Sequence, residues 1–141
     1  RVSGVHLYIV GKQPHAEVQA LADDNVTVTG YVADILPYFG GADVYIVPLR
    51  VGGGTRLKVL EALATGMAMV STRLGAEGID LADGEHALLA DTAPAFAAAT
   101  VRLLQDAGLS ATLGTRARAL AESQYDWRRI VPRLFPLYDR L

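Results

Sequence analysis

The segment from Arg50 to Lys58 contains three cations and three consecutive glycines. The run Gly52–Gly54 lets the backbone come close to a ligand, and it precedes a predicted helix whose first N–H groups attract anions. Arg56 and Lys58 fall in the first turn of that helix, where the macrodipole disfavours a cation by about 0.3–1 kcal/mol. A bound phosphate or diphosphate would remove this repulsion by accepting charge-assisted hydrogen bonds. The alternative is that these long side chains extend outward and are solvated.

A carboxylate follows on the same predicted helix. Glu61 falls in the i, i+3, i+4, i+7 pattern formed with Leu57, Leu60 and Ala64, so we expect it to face the sheet or a cleft. An ionised group in that position needs hydrogen-bond donors, and two ribose hydroxyl groups would supply them. The alternative is a local ion pair with Lys58.

Two further segments are predicted at the edge of the sheet where the strands end, which is where ligands bind in open parallel sheets. Gly30 and Tyr31 follow the second predicted strand and would flank the base of a nucleotide. The loop 71–79, with Thr72 and Glu77, follows the fourth predicted strand. An ordinary turn is the alternative for this loop.

Other kinds of site are disfavoured by the sequence. His6, His15 and His86 have no metal-ligand spacing, so no metal site is predicted. No serine lies in a nucleophile elbow, which leaves hydrolase chemistry without support. The glycine-rich segment is not a P-loop, and no GxGxxG motif opens a helix after the first strand.

Short apolar runs alternate with helical patterns, which predicts an α/β fold with a mostly parallel sheet. The predicted strands are 5–10, 26–29, 44–47, 67–71 and 86–89, and the helices among them are 14–22, 34–39 and 55–65. From Pro94 onward only helices are predicted, over 94–105, 110–122 and 126–141, with Ser110 and Asp126 as N-caps. Tyr125 and Trp127 are expected to anchor these helices in the core. The expected architecture is a Rossmann-like, three-layer α/β/α domain.

Length and composition agree with one globular core. The chain has 141 residues, 51% hydrophobic and 20% charged, which excludes an intrinsically disordered protein. The net charge of −2 argues against nucleic acid as a partner. Cysteine is absent and no apolar run approaches the roughly 20 residues of a membrane helix, so we expect a cytoplasmic location. The first residues lead straight into a strand without an initiator Met, and we expect a piece of a longer protein.

The residues described above resemble those of a known family. The chain is similar, almost end to end, to the C-terminal, donor-binding domain of the group-1 (family 4) glycosyltransferases, which have GT-B architecture. The resemblance is carried by LYIVG, VTVTGYV, ADVYIVPLR, GGGTRLKVLEALATG, VSTRLGAEGI and the YDW that precedes the last helix. The central block, in which a Pro ends a strand before a Gly-rich turn and LEALATG, is the specific part.

The resemblance implies a site for a nucleotide-diphosphate sugar of the UDP, GDP or ADP type, in a cleft between two Rossmann-like domains. Glu61 matches the family glutamate that holds the ribose hydroxyls. The residues Gly52, Gly53, Gly54 and Thr55 match the turn that meets the diphosphate and the sugar. Gly30 and Tyr31 match the wall beside the base, and basic residues recur in one subgroup at the positions of Arg56 and Lys58. The resemblance also implies transfer with retention, without a bound metal, in the synthesis of a cell-surface or secreted glycan, and the enzyme would work at the inner face of the membrane.

Two departures from the family pattern stand out. The family places a second glutamate eight residues before Glu61, where this chain has Gly53. The resemblance further implies that a first βα unit, which carries an Arg and a Lys that clamp the diphosphate, and the N-terminal acceptor-binding domain lie outside this sequence. That first strand would lie mid-sheet, so we expect the gap to close by rearrangement or a second copy to pair with the open edges.

Two other functions stay open at this point. A non-catalytic regulatory or assembly module on the same scaffold is the first, because Gly53 replaces a family glutamate. A nucleotide-sugar epimerase of the same two-domain architecture is the second, although those enzymes have a different C-terminal signature.

Overall fold

The computed structural model of the chain describes residues 2–138. The backbone divides into two compact units, Arg1–Ala42 and Asp43–Leu141. Among the residues whose burial is described, the buried apolar side chains other than Phe39 belong to the second unit. No helix within residues 2–138 is long and apolar enough to cross a membrane.

The first unit consists of two βα pairs. Strand β1 (Leu7–Val10) precedes helix α1 (Ala16–Gln19), and strand β2 (Val26–Gly30) precedes helix α2 (Leu36–Gly41). β1 and β2 run parallel, with an irregularity in the register before the last pair. Helix α1 is shorter than the predicted 14–22, since it begins only after Pro14 and His15.

The second unit contains a three-stranded sheet covered by helices. Its strands are β3 (Tyr45–Val47), β4 (Met69–Ser71) and β5 (Leu88–Leu89), which are parallel and adjacent in that order. Helix α3 (Leu57–Thr65) connects β3 to β4, and helix α4 (Ala93–Gln105) packs on β4 and β5. Helix α5 (Ala107–Leu120) packs on α3 and α4.

The chain after α5 is helical but broken into short pieces. A π-helical turn (Ala121–Tyr125) leads to α6 (Trp127–Ile130), a 3-10 turn (Val131–Arg133) and α7 (Phe135–Tyr138). The prediction of one continuous helix over 126–141 is therefore wrong for residues 126–138. Positions 139–141 lie outside the residues that the structure describes. Pro132 and Pro136 account for the breaks, because neither can donate a backbone hydrogen bond.

The predicted α/β class with parallel strands is confirmed. The ladders join β1 to β2, and β3 to β4 to β5, as two sheets. Closure of the gap by rearrangement stays a prediction. Pairing with a second copy stays a prediction.

Of the two residues expected to cap helices and the two expected to anchor the C-terminal helices, one of each lies as predicted. Asp126 caps α6 as predicted, since its carboxylate accepts from the Arg128 N–H at 2.8 Å. Helix α5 begins earlier than predicted, and its N-cap is Asp106 instead of Ser110. The Tyr125 hydroxyl accepts from the Asp80 N–H at 2.8 Å and so anchors its segment. Trp127 is 74% exposed, so its predicted core position is wrong: its short helix turns this side chain outward.

The core of the second unit lies between the sheet and its helices. Its fully buried side chains include Val47 of β3, Met69 and Val70 of β4, Leu63 of α3 and Leu113 of α5. Helix α3 ends at Gly66, whose left-handed backbone (φ 71°) closes the helix. Gly114 of α5 packs directly on Gly66, and a Cβ at Gly114 would overlap the Gly66 carbonyl oxygen.

We expect Gly114→Ala to lower the free energy of unfolding by about 1–3 kcal/mol, because the added methyl must push α5 away from the end of α3. Gly108→Ala is the matched control in the same helix, since its Cβ would meet only an ordinary 3.5 Å contact to Asp106. Urea unfolding of both variants measures the difference. Equal stability of the two variants would contradict the close packing of α3 and α5.

Candidate functional site

The Gly-rich turn between β3 and α3 needs glycine at two of its three positions. Gly52 has φ 138° and Gly54 has φ 88°, values that residues with a side chain rarely adopt. Gly53 does not have a positive φ, and a Cβ there would meet open space. The backbone therefore requires Gly52 and Gly54, whereas the glycine at position 53 leaves a surface free of side chains.

Backbone donors are concentrated in this turn. The N–H groups of residues 52–56 and of Lys58 have no hydrogen-bond acceptor in the described part of the chain. Helix α3 begins at Leu57, two residues later than predicted, and no side chain caps it. Unpaired N–H groups at a helix start are the backbone arrangement that binds phosphate in proteins.

Arg56 lies differently from its predicted position. It is the N-cap residue, not a residue of the first turn, and its side chain is only 6% exposed. Its Nη2 donates to the Gly52 carbonyl oxygen at 3.3 Å and to Glu77 Oε2 at 3.2 Å. The alternative of outward solvation is therefore wrong, because the guanidinium is buried and Glu77 compensates its charge within the protein, whereas contact of Arg56 with a phosphate stays a prediction.

The two other cations near the turn are exposed. Arg50 precedes the glycines and Lys58 lies in the first turn of α3, as predicted. Neither has an ion-pair partner among residues 2–138. Thr55 is exposed between the glycines and the helix. The unfavourable placement of a cation at the positive end of α3 thus persists at Lys58.

Glu61 is exposed, and the stripe that was expected to bury it is the outer face of α3. Leu57 is 61% exposed and Ala64 is also exposed, whereas Val59, Ala62 and Leu63 form the buried face. The expectation that Glu61 faces the sheet is wrong, because the face that packs against α5 and β3 is the opposite one. A cleft-facing Glu61 stays a prediction.

The alternative reading of Glu61, an ion pair with Lys58, is absent from the described residues. Instead the carboxylate lies near Tyr45, at the start of β3. Burial raises the pKa of the Tyr45 hydroxyl, and the negative charge of Glu61 raises it further. The sequence alone did not single out Tyr45, because it lies inside an apolar run that predicts only a strand.

The loop that follows β4 is tied to the Gly-rich turn. The Thr72 hydroxyl donates to the Leu49 carbonyl oxygen at 2.6 Å and accepts from the Gly75 N–H at 2.9 Å. A Cβ at Gly75 would lie 2.6 Å from Ser71 Oγ, so only glycine fits there. Together with the ion pair between Glu77 and Arg56, these contacts confirm that the two loops meet at one edge of the sheet.

Gly30 and Tyr31 belong to the first compact unit. Gly30 ends β2 with φ 69°, and Tyr31 is exposed. Their role beside a nucleotide base stays a prediction. Among residues 2–138, no group of three or more His, Asp or Glu side chains is arranged to hold a metal ion.

Residues 1–106 match the family described as "Glycosyl transferases group 1". The chain belongs to this family. The resemblance to the group-1 glycosyltransferases is thereby confirmed at the level of the family.

Two relatives of this group 1 chain are named as mannosyltransferases of Mycolicibacterium smegmatis. It is 31% identical to the phosphatidyl-myo-inositol mannosyltransferase of Mycolicibacterium smegmatis, over 99% of this chain and 38% of the relative. It is 32% identical to the GDP-mannose-dependent alpha-(1-6)-phosphatidylinositol monomannoside mannosyltransferase of the same organism, over 97% of this chain and 40% of that protein.

The fold is shared with a solved structure, Anabaena HepE in complex with UDP. The TM-score is 0.83 at 20% identity, over 97% of this chain and 41% of HepE. The chain thus spans about two-fifths of the length of the relatives it matches.

Because its pKa is raised, the Tyr45 hydroxyl gives a pH dependence with a defined sign. Its contribution to stability is fully present below pH 10, the ordinary pKa of a tyrosine, and is lost as pH rises through the higher pKa of the folded state, since the unfolded state ionises first. We expect the free energy of unfolding of the unmodified chain to fall more steeply above pH 10 than that of Tyr45→Phe.

Urea unfolding at a series of pH values tests this dependence. Tyr31→Phe serves as the control, because it removes an exposed phenol. Glu61→Gln should reduce the difference without abolishing it, since burial is the larger cause. Identical slopes for the unmodified chain and Tyr45→Phe would contradict the assignment.

Proposed function

We propose that this chain is the donor-binding part of a glycosyltransferase and binds a nucleotide-diphosphate sugar, whose sugar is then transferred to an acceptor. The observation that carries the proposal is the Gly-rich turn, with unpaired N–H groups from residue 52 to residue 56 and an uncompensated Lys58 at the start of α3. This arrangement suits a diphosphate, since backbone donors and cations both stabilise its negative charge.

The remaining site residues fit the other parts of such a donor. Arg50 adds a second exposed cation before the turn, and Thr55 adds a hydroxyl after it. Glu61, exposed on α3, would accept hydrogen bonds from the two ribose hydroxyls. Gly30 and Tyr31 would line the base. Arg56 would contribute to donor binding indirectly, because its hydrogen bond to the Gly52 carbonyl oxygen holds the turn in place.

The chemistry expected of this site is mainly electrostatic. When the bond to the sugar breaks, the diphosphate leaves with added negative charge, and donors already fixed in place stabilise that charge. The Gly52–Arg56 N–H groups and Lys58 would supply these donors. Retention of configuration and independence from metal ions are proposed from the family resemblance.

The residues of this chain do not select one nucleotide, and the named relatives differ in the nucleotide that they use. HepE was solved with UDP, and one mannosyltransferase relative is GDP-mannose-dependent by name. A UDP, GDP or ADP sugar fits this chain, because none of its proposed site residues presents a group that selects among the bases. The non-catalytic module and the epimerase have no observation in their favour.

We also propose a partner domain, a cellular location and a biosynthetic role for the enzyme. An N-terminal acceptor-binding domain would supply the other half of the cleft, which agrees with the share of the relatives that the chain covers. We place the enzyme on the cytoplasmic side, at the inner face of the membrane, in cell-surface polysaccharide synthesis.

Calorimetric titration of the full-length polypeptide with UDP, GDP and ADP tests the donor site. We expect saturable binding of one nucleotide and a roughly tenfold or greater weakening in Glu61→Ala, because the two ribose hydroxyls lose a charged acceptor. Glu85→Ala is the control, since Glu85 is an exposed carboxylate that precedes β5 in sequence, away from the turn. Absence of binding by all three nucleotides would refute the proposed function.

Self-association of the 141-residue chain through its sheet edges is a separate proposal. Each sheet has open edges among the described residues, which another strand would complete. We expect sedimentation equilibrium to show a concentration-dependent dimer. A monomer at all concentrations tested would contradict it.

A further inference from the structure

The ion pair between Arg56 and Glu77 is unusual in its exposure. Arg56 is 6% exposed, whereas Glu77 is 68% exposed. The pair joins a guanidinium inside the protein to a carboxylate that remains largely in solvent. It also fixes the position of the carboxylate, because the same Nη2 donates to the Gly52 carbonyl oxygen at 3.3 Å. Glu77 is therefore held beside the Gly-rich turn.

The pair contains fewer hydrogen bonds than an arginine and a carboxylate can form with each other. An arginine and a carboxylate that serve only to stabilise each other commonly form two parallel hydrogen bonds. Here one nitrogen, Nη2, contacts one oxygen, Oε2, at 3.2 Å. The Nε of Arg56 is buried and has no hydrogen-bond partner in the part of the chain that the structure describes. The second oxygen of Glu77 has no recorded partner among residues 2–138, so it is available to a ligand.

The loop that carries Glu77 is held in one conformation. Gly75 cannot accept a side chain, because a Cβ would lie 2.6 Å from Ser71 Oγ. The Gly75 N–H donates to Thr72, whose hydroxyl donates to the Leu49 carbonyl just before the turn. The Glu77 N–H donates to the Leu74 carbonyl at 3.3 Å. The carboxylate is thus presented from a fixed backbone.

The chemistry of this carboxylate decides which part of the donor it suits. A carboxylate repels a diphosphate but accepts hydrogen bonds from hydroxyl groups. We propose that Glu77 is a specificity-determining residue for the donor sugar, whose hydroxyls donate to its outward oxygen, and that Arg56 is the positioning residue that holds it at the turn. This inference rests on the proposed function.

The test separates the sugar from the rest of the donor. The full-length polypeptide and its Glu77→Gln variant are titrated with UDP, GDP and ADP, and with UDP-glucose, GDP-mannose and ADP-glucose. We expect the variant to bind the nucleoside diphosphate within about twofold of the unmodified protein. Its Kd for the matching nucleotide sugar should rise by about tenfold, as expected when a charged hydrogen-bond acceptor is lost.

Two further variants keep the result interpretable. Glu122→Gln is the matched control, since Glu122 is exposed and pairs with Arg118 at 2.6 Å, outside the site; it should leave both affinities unchanged. Glu77→Asp keeps the charge that compensates Arg56, so it tests the same step if Glu77→Gln does not fold. It moves the carboxylate back by one methylene and should also weaken the nucleotide sugar selectively.

The outcomes distinguish this inference from the proposed function. Equal weakening of nucleotide and nucleotide sugar would mean that Glu77 only maintains the turn, and unchanged affinities would mean that it does not contact the donor. Either result overturns the inference and leaves the proposed function standing. If the unmodified protein binds none of the six compounds, the proposed function fails and the inference fails with it.

Discussion

The buried guanidinium of Arg56 is the contact on which the geometry of the site depends. It ends the Gly-rich turn by bonding to the Gly52 carbonyl, and it joins that turn to the next loop through Glu77. A charge in this position needs a partner, because an unpaired buried charge is strongly destabilising. Since Glu77 is mostly exposed, solvent screens the pair, and its net stabilisation is smaller than that of a fully buried pair. The main effect of the ion pair is therefore to fix the Gly-rich turn and the loop that carries Glu77 relative to each other.

Helix α3 connects this site to the core of the unit. Its first residue, Leu57, follows the Arg56 N-cap, and its last turn is closed by Gly66 and packed against Gly114 of α5. The Arg118 side chain also donates to the Ala64 carbonyl near that end. Contacts at both ends restrict how the helix can shift, so the N–H groups and Lys58 at its start keep a constant relation to the turn.

The sequence predicts the strands, the turn and the family, because these depend on local residue types. The orientation of α3 could not be predicted in the same way. Its sequence contains two helical stripes on nearly opposite faces, one with Glu61 and one with Val59 and Leu63, which lie about 160° apart at about 100° of rotation per residue. Packing against α5 and β3 chooses between them. The burial of Arg56 has the same origin, since its partner Glu77 lies in a loop that only the folded sheet brings near.

The charges around the turn are ordered in a way that matches the proposed donor. Such a donor has an anionic diphosphate in the middle, with hydroxyl-bearing rings, the ribose and the sugar, on either side. In the chain, unpaired N–H groups and exposed Lys58 lie at the turn, while exposed carboxylates are found in the following loop at Glu77 and further along α3 at Glu61. A site for inorganic phosphate alone would gain nothing from these carboxylates, because both would repel the anion. The combination therefore favours a ligand that is charged at its centre and neutral at its ends.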